Sequence, residues 1–250
     1  MPSFQHGTVE IAFLDEGVGE PIVLVHGFAS NKEVNWVQPG WVAALTSAGW
    51  RVIALDNRGH GQSSKLYEPA NYHTSRMAED VVALLDHLNL PRADMMGYSM
   101  GARIVAYLAL DHPQRVRSAI LGGLGMSLVE GAGLSERLAE ALEARDIDEI
   151  ASERGRQFWA FAEQTKSDRR ALAACIRGSR QTLTRAQVSS IHAPTLIAVG
   201  TKDTIAGSPE ALAALIPGAL ALAIPERDHM LAVGDKAFKA GVLAFLSERP

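Results

Sequence analysis

Asp94-Met95-Met96-Gly97-Tyr98-Ser99-Met100-Gly101-Ala102-Arg103-Ile104-Val105-Ala106-Tyr107-Leu108-Ala109-Leu110 is the stretch whose reading decides the fold. Asp94 to Met96 reads as a buried strand, Ala102 to Leu110 has helical spacing, and a G-x-S-x-G pattern stands between them. Composition alone would produce that pattern in about one such chain in eight, so its weight comes from its position between strand and helix. A turn that sharp pushes Ser99 out of the sheet and brings its flanking backbones together. Gly97 and Gly101 must then lack side chains, and Ala102 must stay small.

Outward from this turn, apolar runs of strand length alternate with helical stretches. Pro21 to Val25, Val52 to Leu55, Ser118 to Leu121, Thr195 to Val199 and Leu220 to Ile224 read as buried strands. Met77 to Leu90 places Val81, Leu84, Leu85 and Leu88 on one helical face, and Pro209 to Ile216 also has helical spacing. The alternation predicts an α/β protein with a largely parallel sheet. Phe4 to Leu14 alternates apolar and polar residues across Gly7, as an antiparallel hairpin at a sheet edge does.

Ser127 to Ser190 breaks the rhythm: it holds no clear strand, and Glu136, Arg137, Glu140, Glu143, Arg145, Asp148 and Glu149 fall in helical pattern. This is read as a helical insertion whose charges form a solvated face. Gly122, Gly123, Gly125, Gly131 and Gly133 mark its entrance, and His192-Ala193-Pro194 marks the return to a strand. The expected division is a core of residues 1–122 and 191–250 with an inserted unit at 123–190.

A serine hydroxyl attacks only when a base removes its proton and a third group orients that base. His229, in Arg227-Asp228-His229-Met230, follows the last expected strand, and Asp203, in Gly200-Thr201-Lys202-Asp203, follows the one before it. Parallel sheets place ligand chemistry at these carboxyl ends, and the order Ser, Asp, His is one of the convergent triad orders. Asp228 adjoins His229 but ranks below Asp203, because a side chain rarely folds back to orient its neighbour's ring. Acyl transfer also develops an oxyanion that needs fixed donors. The N–H groups of Phe28, in His26-Gly27-Phe28, and of Met100 are the candidates.

With these residues in view, the chain resembles the serine-dependent α/β-hydrolase family over essentially its whole length. The markers stand in family order: His26-Gly27, then Asp56-Asn57-Arg58-Gly59-His60-Gly61-Gln62-Ser63, then Gly97 to Gly101, Asp203 and His229. The resemblance implies an eight-stranded, mostly parallel sheet flanked by helices, with a helical cap after the sixth strand, as in capped esterases, enol-lactonases and carbon–carbon bond hydrolases. It departs in having Ala102 where many relatives carry a second glycine. Arg227 and Asp228 also replace the glycine that often precedes the catalytic histidine.

The expected function is therefore a serine hydrolase, carboxylesterase-like, cleaving a small or medium carboxylic ester through an acyl-enzyme. The alternatives are a triad hydrolase of a carbon–carbon bond, lactone, thioester or amide, and a ligand receptor on the same fold with little turnover. Trp36, Arg103, Phe158, Trp159 and Phe161 are the candidate substrate contacts. For the aromatics, with Trp41, the competing reading is packing in the core; for Arg103 it is a structural ion pair. Isolated, Ser99 would read as a helix-capping serine, His229 as a loop histidine and Asp203 as a turn aspartate.

Composition narrows the rest. Hydrophobic residues make up 47% and charged residues 21%, which excludes disorder as the main state. Lys and Arg number 24 against 28 Asp and Glu, with no basic block, so no nucleic acid partner is expected. The single Cys175 excludes an internal disulfide or a cysteine zinc site and fits a reducing compartment. His26, His60 and Asp56 lack further residues at ligand spacing, so no metal is assigned, and no cofactor either. Asp56 to Ser63 lacks the spacing of a phosphate loop. The N-terminal residues do not read as a signal peptide. Ala211 to Ile224, the longest apolar tract, is broken by Pro217 and Gly218 and falls short of the roughly 20 residues of a membrane span. A cytoplasmic enzyme acting on a small molecule is the expectation.

Overall fold

Side chains along a strand alternate between the two faces of its sheet, so a strand apolar at every position demands cover on both. Strand β3 (Glu20–Val25) shows this directly: Ile22 and Leu24 join one core layer, Val23 and Val25 the other, and all four are fully buried. The computed structural model describes residues 2–131 and 136–249, so Gly133 lies outside the described residues. The remaining strands are β1 (Ser3–His6), β2 (Val9–Glu16), β4 (Trp50–Leu55), β5 (Ala93–Tyr98), β6 (Val116–Gly122), β7 (Thr195–Gly200) and β8 (Leu220–Ile224). They form one eight-stranded sheet in the order β1-β2-β4-β3-β5-β6-β7-β8. The β1–β2 hairpin turns at Gly7 and pairs antiparallel with itself and with β4; all other pairs are parallel.

The helices are α1 (Trp41–Ser47), α2 (Thr74–His87), α3 (Met100–Asp111), α4 (Ser127–Glu130), α5 (Glu136–Glu143), α6 (Glu153–Gln164), α7 (Arg169–Gly178), α8 (Arg185–Ser189), α9 (Pro209–Ala213) and α10 (Lys236–Glu248). Trp41, Val42 and Leu45 of α1 and Phe238, Val242 and Phe245 of α10 cover one face. Val81 and Leu84 of α2, Ile104 and Leu108 of α3 and Leu212 of α9 cover the other. No helix among the described residues is long and apolar enough to cross a membrane.

Three elements differ from expectation for local reasons. The α2 helix ends at His87 rather than Leu90 because Asn89 takes a left-handed φ of +54°, a conformation that closes helices. The α9 helix stops at Ala213, short of Ile216, where the chain tightens: Leu215 and Ile216 N–H donate to the carbonyls three residues back, Leu212 and Ala213, before Pro217. Strand β8 is not buried: it lies at the sheet edge with Leu220 56% exposed.

Helices α4 to α8 fill the interval between β6 and β7. Their starts are chemically defined. Ser152 accepts from Gly155 N–H, Asp168 accepts from Arg170 and Ala171 N–H, and Thr184 with Gln187 forms a capping box. Leu138 and Leu142 of α5, Ala162 of α6 and Leu172 and Ile176 of α7 continue the core layer that covers the α3 face of the sheet.

The topology also locates the crevice. From β3 the chain passes to β4 on one side, whereas β5 pairs on the other, so the connections after β3 and β5 diverge. Ligands of open α/β sheets bind outside the carboxyl ends of strands at such a switch point. Phe28 follows β3 there, and Ser99 follows β5.

Candidate active site

Ser99 sits between β5 and α3 with φ +54° and ψ −111°, a strained backbone for a residue with a side chain. The flanking glycines make it attainable. A Cβ on Gly97 would overlap the Gly101 carbonyl, and one on Gly101 would overlap the carbonyls of Val25 and His26. The elbow is thus pressed against the end of β3, and Ser99 N–H donates to the Gly122 carbonyl at the end of β6.

The structure brings Ser99, His229 and Asp203 into one hydrogen-bonded line. Ser99 Oγ lies 2.9 Å from His229 Nε2, and His229 Nδ1 lies 2.7 Å from Asp203 Oδ2. The other carboxylate oxygen, Asp203 Oδ1, accepts from the N–H groups of Ile205 at 2.7 Å and Ala206 at 3.0 Å. Burial pushes the Asp203 carboxyl up, but the His229 hydrogen bond and charge and the two backbone donors outweigh it and hold it below its ordinary value. An ionised Asp203 fixes the proton on Nδ1, which leaves the Nε2 lone pair facing the Ser99 hydroxyl. Asp228 does not touch the ring; its carboxylate accepts from Met230 and Leu231 N–H and closes the turn after His229.

Sequence reasoning missed Tyr98. Its hydroxyl donates to the His229 carbonyl at 2.6 Å, tying the elbow to the histidine loop across 131 residues. Burial first, then the charges of Asp203 and Asp228, push the phenol pKa up, so Tyr98 remains a donor. Only its place in the G-x-S-x-G turn hinted at a role.

The turn after β3 is equally fixed. His26 Nδ1–H donates to the Gly27 carbonyl at 2.7 Å, while Nε2 accepts from Asn57 N–H at 3.0 Å, which requires a neutral ring. Burial pulls the His26 pKa down, against the pull of Asp56. Asn35, presented by the π-helical turn Glu33–Val37, accepts from Gly27 N–H at 3.0 Å. Asp56 accepts from Lys32 N–H, Lys32 Nζ and Gln62 N–H at 2.8, 2.7 and 2.8 Å. Gly61 leaves room for that carboxylate, since a Cβ there would overlap it. Asp56 to Ser63 therefore braces the turn bearing Phe28. Among the described residues, neither Phe28 N–H nor Met100 N–H has a hydrogen-bond acceptor. These two amides are free to receive an oxyanion.

Two cavities meet at Ser99. One, about 140 Å³, is lined by Arg103, Ser127, Ile176, Ser179 and Arg180. The other, about 170 Å³, is lined by Asn35, Phe158, Phe161, Ile205, His229 and Met230. Phe28 borders both. Of the expected substrate contacts, Phe158, Phe161 and Arg103 reach a cavity. Trp36 does not: it is fully buried in the core, edge-on to Trp41. Trp159 faces away on α6, its Nε1 toward the Ala144 carbonyl at 3.4 Å and its ring under Arg169. The ion pair weighed for Arg103 is also not found among the described residues; its guanidinium donates to backbone carbonyls of Ser127, Leu128 and Gln181.

Known proteins agree with this architecture. Over 235 residues, 85% of the chain, the sequence is 32% identical to the dihydrolipoyllysine-residue acetyltransferase component of the acetoin cleaving system of Pseudomonas putida, and spans 59% of that protein. A solved hydrolase from Pseudomonas aeruginosa PA01 superposes with a TM-score of 0.80 at 30% identity, covering 95% of this chain and 94% of that one. The enol-lactonase of Burkholderia xenovorans LB400 superposes with a TM-score of 0.76 at 25% identity, covering 99% and 100%. A family model described as alpha/beta hydrolase fold matches residues 20–159, and the chain belongs to that family.

Proposed function

We propose that this protein is a serine hydrolase that cleaves a small or medium carboxylic ester, open-chain or cyclic, through an acyl-enzyme. The observation that carries this reading is the unbroken line Ser99 Oγ, His229 Nε2, His229 Nδ1, Asp203 Oδ2 at 2.9 and 2.7 Å. In the first half-reaction Ser99 Oγ attacks the carbonyl carbon while His229 Nε2 takes its proton. The carbonyl oxygen becomes an oxyanion held by Phe28 and Met100 N–H, and collapse expels the alcohol with the proton from His229. Water, deprotonated by the same nitrogen, then releases the acid. Asp203 keeps the ring in the useful tautomer and stabilises its cationic form.

Helices α4 to α8 act in this reading as a cap that shapes the cavities, with Phe158 and Phe161 offering an apolar wall. The full-length likeness to an enol-lactonase favours including lactones, whose ring opening uses the same steps. The test is hydrolysis of p-nitrophenyl esters from acetate to octanoate beside labelling by a serine-directed fluorophosphonate. Wild type should turn over and label at Ser99; Ser99→Ala should lose at least about 10³-fold in kcat and all labelling while keeping its fold. Near-normal turnover in Ser99→Ala would overturn the assignment.

A further inference from the structure

The two cavities differ in which end of an ester they can hold. A leaving alcohol must lie within reach of His229 Nε2, and His229 lines only the cavity that contains Phe158 and Phe161. The acyl group therefore extends into the other one. Arg103 lies there, one helical turn after Ser99, with its N–H bonded to the Ser99 carbonyl.

That arginine is unlike the other buried cations. Lys32 has Asp56 and Arg58 has Asp80, each at 2.7 Å. Arg103 is only 7% exposed, yet no carboxylate pairs with it among the described residues. Its guanidinium meets the carbonyls of Gln181, Ser127 and Leu128 at 2.8, 3.1 and 3.4 Å, which leaves part of its donor set without an acceptor among the described residues. A charge withdrawn from water and answered only by dipoles is costly. Burial accordingly pulls the Arg103 pKa below its ordinary value. Beside it, Ser127 Oγ is buried without a hydrogen-bond partner among the described residues, and half-exposed Arg180 lines the same cavity. An orphaned hydroxyl and an uncompensated cation in one cavity match an anionic, oxygen-rich ligand group.

Resting on the reading of Ser99 as nucleophile, we propose that the acyl part of the substrate ends in a carboxylate, bound by Arg103 and Ser127 with Arg180 beside them. The substrate is then a half-ester of a dicarboxylic acid with an apolar alcohol. Ester and water give a dicarboxylate, the alcohol and a proton.

The experiment compares kcat/KM for p-nitrophenyl hydrogen adipate with that for p-nitrophenyl hexanoate, which has the same chain length without the charge. Wild type should prefer the anionic ester by at least about tenfold. Arg103→Met should remove the preference, and Ser127→Ala should reduce it. Since Arg103 also ties backbone carbonyls, Ser127→Ala and Arg180→Ala decide the matter if Arg103→Met does not fold. A wild type that labels at Ser99 but favours hexanoate, or a preference unchanged in all folded variants, overturns the inference and leaves the serine hydrolase standing. Absence of labelling at Ser99 removes both. If Ser99 labels but neither ester turns over, protection from labelling by adipate, compared with hexanoate, makes the same comparison.

Discussion

The strand-end loops and the helical insertion above them are held by different forces. Around Ser99 buried directional bonds tie one loop to the next: Asp203 accepts three, Asp56 accepts three, and Tyr98, Asn35 and His26 each lock a neighbouring turn. The insertion is joined instead by apolar contacts, helix caps and partly exposed ion pairs such as Arg177 with Glu136 and Glu143. Buried directional bonds fix atoms to fractions of an ångström, whereas apolar packing tolerates repacking. In the proposed reading, this difference suits the loops to bond breaking and the insertion to choice of substrate.

The largest effect should come from the loops. Asp203→Asn keeps the shape of the site but leaves His229 free to adopt the wrong tautomer, so kcat should fall by about 10⁴-fold with the circular dichroism spectrum unchanged. An insertion variant works against a different quantity. Phe158→Ala should shift the alcohol preference by about 1–3 kcal/mol in relative kcat/KM. If Phe158→Ala instead abolished turnover of every ester, the division between the two regions would fail.

Next comes the Lys32–Asp56 pair, whose side chains are each 1% exposed. Lys32→Met leaves a buried carboxylate unpaired and should cost about 3–5 kcal/mol in urea unfolding. Its pH dependence has a definite sign. Burial pushes the Asp56 carboxyl up, but the Gln62 and Lys32 backbone donors and the Lys32 ammonium oppose it, and the carboxyl is held below its ordinary value. A depressed carboxylate stabilises the fold above its unfolded pKa of about 3.9, and that contribution is lost as pH falls through the folded value. The gap between wild type and Lys32→Met should be constant near neutrality and narrow in acid. A gap that widens in acid would contradict the pairing.

Tyr98→Phe removes one buried bond between the elbow and the His229 loop and leaves a carbonyl without its donor. A cost of about 1–3 kcal/mol in stability is expected. Loss of His229 alignment should lower kcat with little change in KM. An unchanged kcat would show that the histidine loop is held without it.

These loops were readable in the sequence to the extent that their cause is local. The glycines of the elbow, the strand-to-helix switch and the triad order are short patterns, and the alternation of apolar runs with helical stretches expresses the sheet. Tyr98 was invisible because its partner is 131 residues away and is a backbone carbonyl, which any residue supplies. Trp36, Trp159 and Phe158 look alike as aromatics on helical turns, and spacing does not say which of them faces the cavity. Strand β8 is as apolar in sequence as β7, and only its place at the sheet edge exposes it.

The smallest effect sharpens the contrast from the insertion's side. Arg177 pairs with Glu143 through two bonds of 2.6 and 2.9 Å and with Glu136 at 2.6 Å, a geometry as close as that of the buried pairs. Yet its side chain is 28% exposed and the glutamates are 44% and 51% exposed, so water and salt screen the attraction and the long side chains lose rotamer freedom to form it. Arg177→Ala should therefore cost only about 0.2–1 kcal/mol, less at high ionic strength, against several for Lys32→Met. Urea unfolding of both variants at low and high salt checks this. If Arg177→Ala cost as much as Lys32→Met, geometry rather than burial would set the strength of these pairs, and the insertion would be held as rigidly as the loops beneath it.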